Sequence, residues 1–186
     1  MIAGFPYFCA SALAVSGVAA VWDLKTGHVP NFLTLSVLAA VPFLHGIASG
    51  LQGGIAEGLW STGYSLEGAL LCGLIPFLLY QANAMGGGDV KLLAALGALL
   101  RPISGIEAEF YGFVLAAIAI PVRLLWIGNA KQVLSTSFSL AINPFLPADR
   151  KKSIDRTTLT WVRFAPFTFG GVVLEILSNL RHFHAE

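Results

Sequence analysis

The sequence predicts an all-α fold, a polytopic membrane helix bundle of about six transmembrane helices, and three observations predict it. Of 186 residues, 56% are hydrophobic and 11% charged, whereas soluble domains carry about 25% charged residues. Mean hydropathy is +0.75, and several uncharged runs approach the roughly 20 residues that cross a bilayer. The runs follow one another so closely that residues 1–186 read as a single membrane-embedded domain.

Hydropathy and charge together place the spans at roughly 3–22, 32–47, 62–81, 90–100 and a little beyond, 110–127 and 162–180. The first stretch carries no Lys or Arg before Trp22, so it lacks the charged start of a secretory signal and reads as a membrane helix. The fourth is short, contains Lys91 and is followed by Arg101-Pro102, which predicts a tilted or shielded helix. Glycines within the spans, among them Gly68, Gly73, Gly97, Gly112, Gly170 and Gly171, suit close helix packing. The longest polar connection, residues 128–161, has room for an amphipathic surface segment. Its Arg150-Lys151-Lys152 cluster suits the anionic inner leaflet. Trp126, Trp161 and Tyr111 read as interfacial anchors.

Charge excludes some function classes. The formal net charge is +1, with no basic face interleaved with aromatics, so nucleic acid is not an expected partner. Cys9 and Cys72 fall in apolar spans without a CxxC partner and read as buried free thiols. His45, His182 and His184 show no metal-ligand spacing, so no metal is expected. Alternating the spans gathers nine of the eleven Lys and Arg residues on one side, leaving Arg101 and Arg181 on the other. The positive-inside bias makes the first side cytoplasmic and puts both termini outside.

That topology brings two aspartates to one face. Asp23 ends the first span going inward, and Asp89 begins the fourth going outward. An ionisable group at membrane depth is costly, so each suggests a task. Asp23 opens the run Asp23-Leu24-Lys25-Thr26-Gly27-His28-Val29-Pro30-Asn31. Read plainly, this is a helix end followed by a Gly and Pro-Asn turn. His28 in that loop is a solvated side chain or one that tunes nearby charge. Asp89 closes Gly86-Gly87-Gly88-Asp89, followed by Val90-Lys91. Asp89 suits the N-cap of span four, and three glycines allow close backbone approach and conformations barred to other residues. No Gly-Lys-Ser/Thr follows, so a nucleotide site is not indicated.

Together these motifs resemble the type IV prepilin peptidases, membrane aspartic proteases with a GxGD signature. Asp23, Lys25 and Val29-Pro30-Asn31 match the family's first catalytic motif. Gly86-Gly87-Gly88-Asp89 with Lys91 matches its second, and Arg163-Phe164-Ala165-Pro166-Phe167-Thr168-Phe169-Gly170 resembles the start of its last helix. The resemblance implies that Asp23 and Asp89 are catalytic, with Gly86, Gly87, Gly88, Lys25, Pro30, Asn31 and Lys91 supporting them. It implies a bundle in the bacterial inner membrane that removes the basic leader of type IV prepilins at the cytoplasmic face. The implied substrate is that leader followed by a hydrophobic helix lodged in the bilayer.

Longer family members carry a cytoplasmic domain with paired CxxC motifs and N-methylate the new terminus. This sequence has no such motifs, so it resembles the short peptidases of Flp-type, tight-adherence pili, with archaeal preflagellin peptidases a related group. The chemistry needs no metal or cofactor. One aspartate stays ionised and activates a water while the other, protonated, polarises the scissile carbonyl. Adjacent carboxyls cannot both ionise cheaply, so such a pair titrates as a unit.

The competing class is a small ion- or proton-coupled transporter using Glu67 and Glu175 as a relay. Interhelical hydrogen bonding is the plainer account of those two. A presenilin-like protease would put its first Asp after a Tyr, whereas Trp22 stands here, and an inactive accessory subunit leaves both motifs unexplained.

Overall fold

The computed structural model describes residues 5–82, 84–127 and 163–183, which are helical apart from short connections. The helices are α1 (Phe5–Thr26), α2 (Asn31–Gly53), α3 (Ile55–Gln81), α4 (Gly87–Ile127) and α5 (Ala165–Phe183). Among the described residues, four stretches are long and apolar enough to cross a membrane: Pro6–Thr26, Asn31–Gly53, Ile55–Gln81 and Gly87–Val122. The all-α membrane bundle expected from the sequence is therefore what the chain forms. Large apolar side chains such as Phe43, Ile47, Leu59, Trp60 and Leu70 face outward, as lipid contact requires. The interior is built from smaller groups, including Ala12, Ser16 and Ala19 of α1 and Leu92, Ala95, Leu96 and Leu99 of α4.

The chain divides into two compact units, Met1–Leu115 with Arg163–Glu186, and Ala116–Val162. The first holds both aspartates. The second is described only over residues 116–127, which continue α4. The 128–161 connection with its basic cluster, and His184, lie outside the described residues. The side chains of Arg123, Trp126 and His182 do too.

Spans four and five of the sequence belong to one element that breaks at Arg101. There φ is 67° and ψ is 175°, a backbone region nearly reserved for glycine, costing about 1–3 kcal/mol. The break is a reversal: a Cβ on Gly105 would stand 3.1 Å from the Gly97 Cα, so arms 87–100 and 102–115 fold back on each other. The connection between spans four and five is thus Arg101 alone, 9% exposed within the bundle. Residues 102–109 start the second arm ahead of the expected fifth span, with Gly105, Ala108 and Glu109 buried at helical spacing. Glu107 and Glu109 lower the local hydropathy without ending the helix. Likewise α2 and α3 run past their apolar cores and are joined at Gly54 alone, whose φ of 89° suits a residue without Cβ.

Backbones meet where glycines face each other. A Cβ on Gly68 of α3 would collide with the Gly97 carbonyl of α4, and one on Gly97 with the Gly68 carbonyl. On α5, a Cβ at Gly171 would collide with the Ala108 carbonyl and stand 2.6 Å from the Gly112 nitrogen. Small residues let membrane helices approach this closely, and van der Waals contact then holds them.

Candidate active site

Asp23 lies in the last turns of α1. The helix closes when the Gly27 N–H donates to the Asp23 carbonyl at 2.8 Å, with Gly27 at φ 73°. This is a left-handed glycine cap. Thr26 Oγ1 also donates to the Trp22 carbonyl at 2.9 Å. The chain then turns through His28 and Val29, and the Pro30 carbonyl accepts from Leu33 and Thr34 to start α2.

The second motif is laid directly on this turn. A Cβ on Gly88 would stand 3.3 Å from Val29 Cβ and 3.6 Å from its nitrogen. Lys91 Nζ donates to Asn31 Oδ1 at 3.0 Å. Gly87 faces the ring of Tyr80 at the end of α3, and a Cβ on Gly86 would press within 3.3 Å of Asp89 Oδ2. The motif glycines thus serve close approach, and all three keep φ outside the left-handed region. That corrects the expectation of unusual backbone conformations: the turn needs thinness, not a special φ. Asp89 is also not the N-cap. The helix begins at Gly87, and the Asp89 N–H donates to the Gly86 carbonyl at 3.1 Å, leaving the carboxyl in the first turn, still favoured by the helix dipole.

The two carboxyls are close enough to act on one another electrostatically. Asp23 is 5% exposed, and its buried Oδ2 has no hydrogen-bond partner among the described residues. Arg163, the Ala165 backbone amide and His28 lie within electrostatic reach of it. Arg163 also donates through Nη1 to the Leu24 carbonyl, tying the start of α5 to the end of α1. Lys25 is exposed on the last turn of α1. The structure therefore brings Asp23, Asp89, Pro30, Asn31, Lys91 and the glycines to one end of the bundle.

Arg163 is the site neighbour that sequence reasoning missed as such. It entered only as a loop charge and as part of the late aromatic stretch. That stretch has a packing role: Phe164 stands 5.0 Å from the Phe113 ring, and its carbonyl accepts from Phe167 and Thr168. Pro166 falls in the first turn of α5, where its missing N–H costs nothing. The available signal was electrostatic: a buried carboxylate asks for a cation, although nothing local says which one.

The acids of the transporter reading are differently placed. Glu67 is exposed on α3, while Glu175 is 0% exposed and accepts from Asn179 Nδ2 at 2.5 Å.

The model of the type IV leader peptidase family matches residues 10–121. The chain is 34% identical over 154 residues to a prepilin leader peptidase/N-methyltransferase of Burkholderia pseudomallei, covering 75% of this chain and 42% of that protein. To the prepilin leader peptidase/N-methyltransferase of Pectobacterium carotovorum subsp. carotovorum it is 36% identical over 137 residues, 69% of this chain and 44% of the other. It spans less than half the length of these curated relatives. No solved structure matches it. Because the family match covers more than half of the sequence and takes in both aspartate motifs, this chain belongs to the type IV leader peptidase family.

Proposed function

We propose that the chain is an aspartic endopeptidase of the bacterial inner membrane that removes the basic leader of Flp-like prepilins at the cytoplasmic face. The observation that carries this reading is the assembly of two distant motifs at one end of the bundle. Gly88 rests on Val29, Lys91 bonds Asn31, and the Asp23 and Asp89 carboxyls interact. Such an end meets a prepilin where its polar leader joins its membrane-embedded helix.

In the proposed reaction one carboxylate takes a proton from water as the water oxygen attacks the scissile carbonyl. The other carboxyl, protonated, donates to the carbonyl oxygen. Collapse of the tetrahedral species breaks the C–N bond, and the leaving amine takes up the proton. Arg163 places a fixed cation within electrostatic reach of Asp23. The Lys91–Asn31 bond helps hold the loop geometry around the pair.

The test uses the full chain reconstituted in lipid vesicles with a peptide bearing a basic leader and a hydrophobic helix. Mass spectrometry of the products should show a single cut at their junction. A parallel flux assay should show no proton or ion movement. Flux without cleavage would replace this reading with the transporter.

A further inference from the structure

A second polar cluster lies far from the aspartates, where α4 reverses. Arg101 Nη2 donates to Ser61 Oγ at 2.7 Å and faces His45 Nδ1 at 3.3 Å. His45, 2% exposed, places Nε2 3.1 Å from the Leu99 carbonyl. A carbonyl only accepts, so Nε2 carries the proton and Nδ1 is left to accept from Arg101. Ser49 donates to Ser61 at 2.9 Å, and Ser65 donates to the Ala98 carbonyl at 2.7 Å. The Phe8 ring stacks on His45 at 3.6 Å, and Tyr64 lies beneath the guanidinium at 5.7 Å. Side chains from α1, α2 and α3 thus converge on the last turn of one arm of α4.

The position is deep. His45 precedes the end of α2 by about 12 Å of helix, and Ser61 follows the start of α3 by about 9 Å. The arm 87–100 is roughly 21 Å long, short of a hydrocarbon core of about 30 Å. Arg101 therefore puts a cation inside the bundle and adopts a backbone conformation suited to glycine. Among the described residues its partners are neutral, and its Nε has none. A glycine would make the same turn without either cost, so the side chain has a task of its own.

The arm is a short rod with Asp89 at its foot, about 18 Å along the helix from Arg101. At the foot it is held by an exposed Lys91–Asn31 bond and by the Gly88–Val29 contact. Midway, the Gly68–Gly97 backbone contact sets its approach to α3. The cluster at the top adds the directional polar bonds, because His45 and Ser61 reach it from two different helices. We infer that Arg101, His45 and Ser61 form a positioning device that sets the depth and rotation of this arm and so holds Asp89 in register with Asp23. Arg101 is a positioning residue, and the inference rests on the proposed reaction.

Two readouts on the full chain in vesicles test it. The first is cleavage kinetics on the leader-bearing peptide. The second is the spin-label distance between Leu24→Cys and Ala84→Cys, with Cys9 and Cys72 changed to Ala. Arg101→Gly keeps the turn and removes the clamp. It should lower kcat by about tenfold to a hundredfold, with KM within about twofold, as a misplacement near 1 Å does. The distance distribution between the two feet should broaden. Ser61→Ala should move both readouts the same way by less, and it decides the matter if Arg101→Gly fails to insert. Either readout unmoved overturns the inference. If the unmodified chain does not cleave the peptide, the proposed reaction fails, and the distance measurement alone then supports or overturns the clamp.

Discussion

At the scale of single residues, the candidate site rests on thin backbone and borrowed charge. Gly88 is thin because Val29 is already in contact, so Gly88→Val should pry the two motifs apart. Leader cleavage should fall at least about tenfold with insertion unchanged, as expected for displaced catalytic groups. Retained cleavage would show that the close approach is dispensable. Arg163→Ala should remove a cation within electrostatic reach of the buried Asp23 and the tie to Leu24. The expected loss is about tenfold in kcat/KM, with Arg163→Lys recovering part of it. Asp23, Asp89, Lys91 and Asn31 were legible in the sequence because each stands within a short local pattern. Arg163 was not, since its partner lies far away in the chain and only folding joins them. The glycines were legible as a motif and so was the close approach they allow, whereas the added expectation of special φ failed: composition cannot separate room for a neighbour from freedom in φ.

At the scale of elements, hydropathy found the apolar centre of each helix but misplaced several ends. It left a gap between spans two and three, where the chain needs only Gly54 to reverse. It also left a gap between spans four and five, where buried Gly105 and Ala108 continue the helical pattern beside charged Glu107 and Glu109. Charge counting set Arg101 on the side opposite the aspartates and gave no sign that it is buried. The bonds to His45 and Ser61 that bury it come from other helices and leave no local trace. The contact of α3 with α4 makes its own prediction. Gly68→Leu places bulk against the Gly97 carbonyl and the Arg101 backbone, with no flexible neighbour to yield. Thermal unfolding of the purified protein in detergent should show destabilisation of about 1–3 kcal/mol, the usual cost of overpacking. An unchanged Tm would mean that the two helices do not meet there.

At the scale of the whole molecule, span parity and basic loops placed both aspartates at one end, and the packing of Gly88 on Val29 agrees with that placement. The proposed cytoplasmic side rests on the positive-inside bias. Single cysteines at Thr26 and Ala84, both exposed, should therefore be labelled by an impermeant thiol reagent only from the cytoplasmic side. Labelling from opposite sides would break the shared-end topology. The central claim is that Asp23 and Asp89 act as one catalytic unit on a prepilin leader. Its most direct test is a double-mutant cycle: the leader-cleavage rate of the reconstituted protein for Asp23→Asn, Asp89→Asn and the two combined. Residues that act as a unit are strongly non-additive. The account predicts that each single change abolishes cleavage and that the double variant is no worse than either. Substantial processing by one single variant, or losses that multiply in the double, would contradict it.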